Sequence, residues 1–254
     1  MKTNRQVKTK LFMLLCCMYF LLNSCSGPVP VPASKIEDIS RIKAEIDMYQ
    51  SLTDENENSL SVTLYDEKGK EFGNDSVKIA VNGKTVEYRI KQQLYYSKNY
   101  FYHAENISPE NGRYDLQIQM SNGKKFFLAS IPSLKLSSSR NIVYKEDAPL
   151  NQDYSIQWSG LQDVNVLYLS KSVKIQTKEK SNIETFVQQA EDTIKIGPSG
   201  NYTIKKEQFS RPGDTLDIIS FKFTAEKTGT VNPHLLKGSS GKIKGSHEER
   251  VNFK

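Results

Sequence analysis

From Leu60 onward, apolar and polar residues alternate with a period of two. Short runs rich in Val, Ile, Tyr and Phe stand between turn residues, the pattern of half-buried strands. Leu60–Tyr65 closes at Asp66–Gly69, and Val77–Val81 closes at Asn82-Gly83 before Val86–Ile90. Asn-Gly between alternating runs predicts a tight hairpin, because both turn residues must adopt positive φ. Tyr114–Met120 and Lys125–Ser130 flank Ser121-Asn122-Gly123, which predicts a second hairpin. This segment reads as a sandwich of about seven strands.

Ile131-Pro132 and Leu136–Ser139 interrupt the pattern, and a second β region starts at Asn141. Its strands are expected at Tyr154–Trp158, Val164–Leu169, Val173–Thr177, Thr193–Ile196, Tyr202–Ile204, Leu216–Ala225 and Arg250–Phe253, with Gly238–Gly241 as a flexible turn. Tyr154, Ile156 and Trp158 share a face, which places the single tryptophan as a core plug. Two stretches break the period. Ile36, Ile39, Ile42, Ile46 and Tyr49 recur at steps of three and four behind a Ser34/Glu37 capping box. They predict a helix over Ser34–Leu52, docked on the protein's own sheet. Ile183, Phe186, Val187 and Ala190 predict a short helix inserted between strands. The expected fold class is all-β: two β-sandwich (immunoglobulin-like) domains, 59–135 and 136–254, behind a tether and helix at 25–58.

The N-terminus reads as a signal peptide over residues 1–24. Lys2, Arg5, Lys8 and Lys10 precede an apolar run from Leu11 to Leu22. That run is shorter than the roughly 20 residues a membrane span needs. Leu22-Asn23-Ser24-Cys25 resembles the lipobox of bacterial lipoproteins. The resemblance implies that Cys25 is diacylated and becomes the mature N-terminus. Two or three acyl chains hold a protein on a membrane where one does not. Pro28-Val-Pro-Val-Pro32 then forms a stiff, extended tether.

Charge and cysteine content narrow the function classes. The chain carries 35 Lys+Arg against 29 Asp+Glu. Removing the leader's four basic residues leaves 31 against 29, a net of +2, which disfavours a nucleic-acid binder. Two of the three cysteines, Cys16 and Cys17, lie in the leader, so a disulfide scaffold and a cysteine-rich zinc module are excluded. No G-x-S-x-G, H-E-x-x-H or phosphate-loop motif occurs. His103, His234 and His247 lack ligand spacing and read as surface or loop histidines. Asp54–Glu57 lacks the glycine and ligand spacing of a calcium loop. No catalytic residue, metal or cofactor is assigned, and the chain reads as non-enzymatic.

One segment is unusually aromatic. Residues 94–103 hold Tyr95, Tyr96, Tyr100, Phe101 and Tyr102. Tyr95, Tyr96, Tyr100 and Tyr102 are the candidate ligand-binding aromatics, since tyrosine joins an apolar face to a polar tip. Strand parity puts Tyr96, Tyr100 and Tyr102 on one face and Tyr95 and Phe101 on the other. One of these faces is expected to be core.

The lipobox, the Val81-Asn-Gly-Lys84 turn, the strand-borne Ile156-Gln-Trp158 and the glycine-rich close resemble Bacteroidota-type envelope lipoproteins with tandem immunoglobulin-like or fibronectin-III-like sandwiches. The resemblance implies a protein lipid-anchored to the outer membrane that scaffolds or binds an envelope protein partner. The alternative is a glycan-binding surface lipoprotein of a nutrient-uptake system. A third reading is a subunit exchanging a strand near Arg250–Lys254. No acidic cluster follows Cys25, which favours the periplasmic face. Asp75-Ser76-Val77, Asp192-Thr193-Ile194 and Asp214-Thr215-Leu216 match the O-glycosylation motif of such proteins, with Ser76, Thr193 and Thr215 as acceptors.

Overall fold

The computed structural model describes residues 36–73, 75–92, 98–175, 184–211 and 213–254. Cys25, the tether, Ser34, Tyr95, Tyr96 and Ile183 lie outside the described residues. The fold is all-β and sandwich-like, and no helix of seven or more residues occurs among the described residues.

The first half is built from β1 (Lys43–Gln50), β2 (Asn58–Tyr65), β3 (Glu71–Phe72), β4 (Lys78–Val81), β5 (Lys84–Gln92), β6 (Lys98–Glu105), β7 (Arg113–Gln119) and β8 (Lys125–Pro132). The ladder runs β1-β2-β6-β5-β4-β7-β8, antiparallel at every step. Alternation does the sorting: Ile46, Leu60, Val62, Ile79, Leu116 and Ile118 are all at most 1% exposed. Both hairpins form where the turn residues demand. Val81 pairs with Lys84 across Asn82 (φ 45°) and Gly83 (φ 74°). Gly123 (φ 82°) closes the second. The Asn82 amide also donates to the carbonyls of Ser108 and Arg113 and accepts from the Asp115 N–H, so the turn holds the β6–β7 connection.

The second half follows with β9 (Ile142–Val143), β10 (Asp147–Ala148), β11 (Tyr154–Trp158), β12 (Val164–Ile175), β13 (Thr185–Gln188), β14 (Asp192–Lys195), β15 (Gly200–Ile204), β16 (Ser210–Arg211), β17 (Asp214–Thr228), β18 (Thr230–Val231) and β19 (Ser240–Phe253). A three-stranded sheet, β15-β11-β9, packs against β12-β17-β19. Trp158 is the expected plug. It is 6% exposed, its ring lies 5.7 Å from Phe223, and its Nε1 donates to the Gly197 carbonyl at 3.0 Å. Gly200 lies beneath it, and a Cβ there would sit 2.8 Å from the indole.

Two long strands join the halves. β19 pairs antiparallel with β17 from Lys242 to Asn252, and parallel with β1 from Ser240 to Lys244. Gly245 marks the crossing. A Cβ there would fall 2.5 Å from the Gln50 carbonyl oxygen, so only glycine lets the backbones approach. Gln50, 1% exposed, uses its side-chain amide on both Leu134 backbone groups and on the Tyr114 hydroxyl. Lys227 bridges Asp163 at 2.7 Å and also donates to the Ser133 carbonyl. A buried amide and a partly buried ion pair, both hydrogen-bonded across it, thus pin the connection between the halves.

Four expectations are corrected. The helix expected over Ser34–Leu52 does not form in its described part, residues 36–52: Ile39–Arg41 makes one 3₁₀ turn and β1 follows. Ala44, Ile46, Met48 and Gln50 are buried while Asp47 and Tyr49 point outward, a period of two that coexists with the three-and-four spacing. Ladders on both sides decide in favour of the strand. The inserted helix is instead β13, an exposed edge strand against β12. The final strand begins at Ser240, so Ser240 and Gly241 are ladder residues rather than a flexible turn. His103 and His247 sit on strands β6 and β19, partly buried and bonded to Glu105 and Glu249.

Candidate functional site

The β5–β6 hairpin carries the aromatic segment. Tyr88 faces Tyr102 and Ile90 faces Tyr100 across the ladder, so Tyr100 and Tyr102 do share a face, and Phe101 takes the other. That face runs out of the core. Val86 is 3% exposed, Tyr88 is half-buried, and Ile90 is 55% exposed. Tyr102 is 1% exposed and its ring packs, tilted, 5.5 Å from that of Tyr88, so as a ligand-binding aromatic it is corrected to a core residue. Tyr100 is itself more than half buried. The described part of the hairpin therefore offers no broad stacking surface. Among the acceptor candidates, Ser76 and Thr193 are exposed and Thr215 is half-buried within β17. The three histidines do not converge: His234 lies in a loop. Among the described residues no group of three or more His, Cys, Asp or Glu could hold a metal ion.

A feature not singled out in the sequence is a cleft on the second half. After β9 the chain turns through Tyr144, Lys145 and Glu146 into β10. This turn is stapled to the end of β19: Asn252 donates its N–H to the Glu146 carbonyl, and Lys254 to that of Ala148. The Tyr154 hydroxyl donates to the Lys145 carbonyl at 3.0 Å and accepts from the Lys145 N–H at 3.3 Å. The turn and the outer face of β11 enclose about 320 Å³, bounded by Val143, Tyr144, Ala148, Pro149, Ser155 and Gln157. Val143 is 63% exposed at its lip. Gln152 and Asp153 continue the wall into a shelf formed by Asn151, Lys205, Lys206 and Glu207.

Electrostatics fix both ends of this cleft. The Asp153 carboxylate accepts from Lys205 Nζ at 2.7 Å and from the Lys206 N–H at 3.0 Å. The Lys205 bond is the main reason its pKa lies below the usual carboxylate range. Behind the floor, Glu249 is only 14% exposed. Its two oxygens meet the Tyr144 hydroxyl at 2.5 Å and His247 Nε2 at 2.6 Å. That carboxylate pushes the Tyr144 hydroxyl up to about 12, with burial as the second cause. The Tyr144–Glu249–His247 group holds the turn against β19, and the Ser155 hydroxyl is engaged with Thr203 at 2.7 Å. The cleft thus offers an apolar lip, backbone polar groups and amide side chains, a set suited to holding an extended polar ligand or a loop.

His247 and Glu249 lie two apart and so share a strand face, a signal that becomes readable once residues 240–253 are taken as one strand. Nothing local in Tyr144 or Val143 marks them, because β10 and β19 bring the turn to its place. No protein-family model matches the chain, and no curated protein matches it.

Proposed function

We propose that this chain is a non-enzymatic envelope lipoprotein, anchored through Cys25, that holds a partner-binding cleft away from the membrane. The observation that carries this reading is the course of β19. It starts beside the pole from which the tether leaves and ends at the cleft, where β10 pairs with Asn252 and Phe253. Twelve residues at about 3.3 Å each put the cleft roughly 40 Å from that pole. The junction around Gln50, Gly245 and Lys227 supports a rigid post rather than two hinged modules. No helix among the described residues is long and apolar enough to cross a membrane, and the Leu22–Cys25 box supports attachment by lipid.

Fractionation and cross-linking test the reading. Cys25→Ala should move the protein from the membrane to the soluble fraction. A photo-reactive residue replacing Val143 should give one discrete adduct in cells, and a Gln157→Arg change in the cleft should abolish it. A Cys25→Ala protein that stays wholly with membranes, or an adduct indifferent to Gln157, would sink it.

A further inference from the structure

The pole at which the described chain begins has a composition unlike the rest of the molecule. Ile36–Ile42, the β2–β3 turn, the start of β4, the ends of the β5–β6 pair, the β7–β8 turn and the loop before β19 all lie at this end. The ladder registers require it, and cross-contacts confirm it. Arg41 bonds Glu67 at 3.1 Å, the charges of Asp38 and Lys124 interact, the Leu236 N–H donates to the Ile42 carbonyl, and the Tyr100 N–H donates to Glu71 at 3.0 Å. The described residues here (36–43, 65–71, 75–78, 91–92, 98, 120–125 and 233–239) include ten Lys or Arg and six Asp or Glu, a net of +4. The mature chain as a whole carries only +2, so everything else nets −2. At the opposite end of the same half, residues 51–58, 82–84 and 105–113 hold five acidic and two basic side chains, a net of −3. Charge is therefore sorted along the axis of β1.

We infer that this pole is a seat for an anionic phospholipid surface, with Lys68, Lys70, Lys91, Lys98, Lys124 and Lys125 facing the headgroups and Ile90 at their margin. All six lysines are exposed, and Ile90 is 55% exposed. The inference rests on the lipid-anchor reading for one step. Ten residues separate Cys25 from Ile36, a reach of at most about 40 Å when fully extended. An anchor at Cys25 enters the described chain at this pole, so the tether brings this end to the bilayer more directly than the far end of β19. Lysines close to an anionic leaflet are attracted within about a Debye length, roughly 10 Å at 0.1 M salt. The seat would set the tilt of the post and so the direction in which the cleft is presented.

The test separates the seat from the anchor. The chain from Cys25 onward, bearing Cys25→Ala and hence no acyl group, keeps every described residue. It is sedimented with phosphatidylglycerol-containing vesicles and with pure phosphatidylcholine vesicles. Binding to the first and not the second, weakening as salt is raised, is expected. The Lys68→Glu/Lys70→Glu/Lys124→Glu/Lys125→Glu variant should bind about tenfold more weakly or worse. Asp54→Lys/Glu55→Lys at the opposite end should bind like the parent. Unchanged emission from the single tryptophan in both variants checks that the fold persists. Equal binding to the two vesicle types, no binding at all, or a quadruple-glutamate variant that binds as well as the parent would overturn the seat. Membrane release of Cys25→Ala in cells reads the anchor alone, so either proposal can fail without the other.

Discussion

The first half of the molecule closes on itself, whereas the second half stays open. In the first, β18 covers the edge of β8, and the Gly229 N–H donates to the Gly241 carbonyl, returning the sheet to β19 beside β1. Its core is mostly aliphatic, with Phe72, Tyr102 and Tyr114 spread through it rather than gathered in one block. In the second, β13 and β14 end the sheet with Phe186 and Val187 48% and 42% exposed, and the sandwich relies on an aromatic block: Tyr154, Trp158, Phe209, Phe221, Phe223 and Phe253. A closed sheet can be held by its ladders and many small contacts. A three-stranded cover needs a few large ones, and its single tryptophan becomes critical. The shared strands β17 and β19 raise the question of whether the halves can fail separately.

The largest effect should come from Trp158→Ala. Removing a buried indole costs about 3–5 kcal/mol, a large part of a domain's stability. Because β17 and β19 serve both cores, amide protection in β1 should fall together with that in β11. Hydrogen exchange showing β1 unaffected while β11 opens would break the idea of one cooperative body. Next is Gln50→Ala, which strips three hydrogen bonds from the junction and leaves the Leu134 groups buried and unmet. A loss of about 2–3 kcal/mol is expected in denaturant titration; a loss within error would mean that the junction is not a strut. Gly83→Ala tests a hairpin remote from it. The added Cβ meets nothing within 4 Å, so only the positive φ of 74° is penalised, at about 1 kcal/mol.

The smallest effect is titrational, and it compares the halves directly. Two tyrosines in each half are pushed up to about 12: Tyr65 and Tyr114 in the first, Tyr144 and Tyr154 in the second. Burial is the main cause for Tyr65, Tyr114 and Tyr154, and the Glu249 carboxylate for Tyr144. Each folded value lies above the ordinary value of 10, so the stabilisation they represent is complete below pH 10 and is lost as pH rises toward 12. Absorbance titration should show these four ionising late, with stability falling over that window. Glu249→Gln should bring Tyr144 back toward 10 and leave Tyr65 unmoved. A Tyr144 that still ionises near 12 in that variant would assign its shift to burial instead.

Much of the strand set was legible locally. β2, β4, β5, β7, β8 and β11 fall where alternation put them, and both Asn-Gly turns close as expected, because period two and positive φ are properties of a few adjacent residues. Trp158 was legible for the same reason. The cleft was not, since Tyr144 meets Glu249 105 residues away. Tyr102 could not be told from a surface tyrosine until its face was known to turn inward at Tyr88.

What the sequence determined alone, then, is structure tied to short spacing: an all-β chain, its hairpins and the tryptophan of its second core. Tertiary structure decided every segment whose residues satisfied two patterns at once. Residues 36–50 carry both helical and strand periodicity. β1 is a strand because Lys242–Lys244, nearly 200 residues on, offer a parallel ladder on one side while β2 offers an antiparallel one on the other. Paired on both edges, the strand engages its backbone in two ladders and buries Ala44, Ile46, Met48 and Gln50 in one line. A lone helix there would have buried only a narrow stripe.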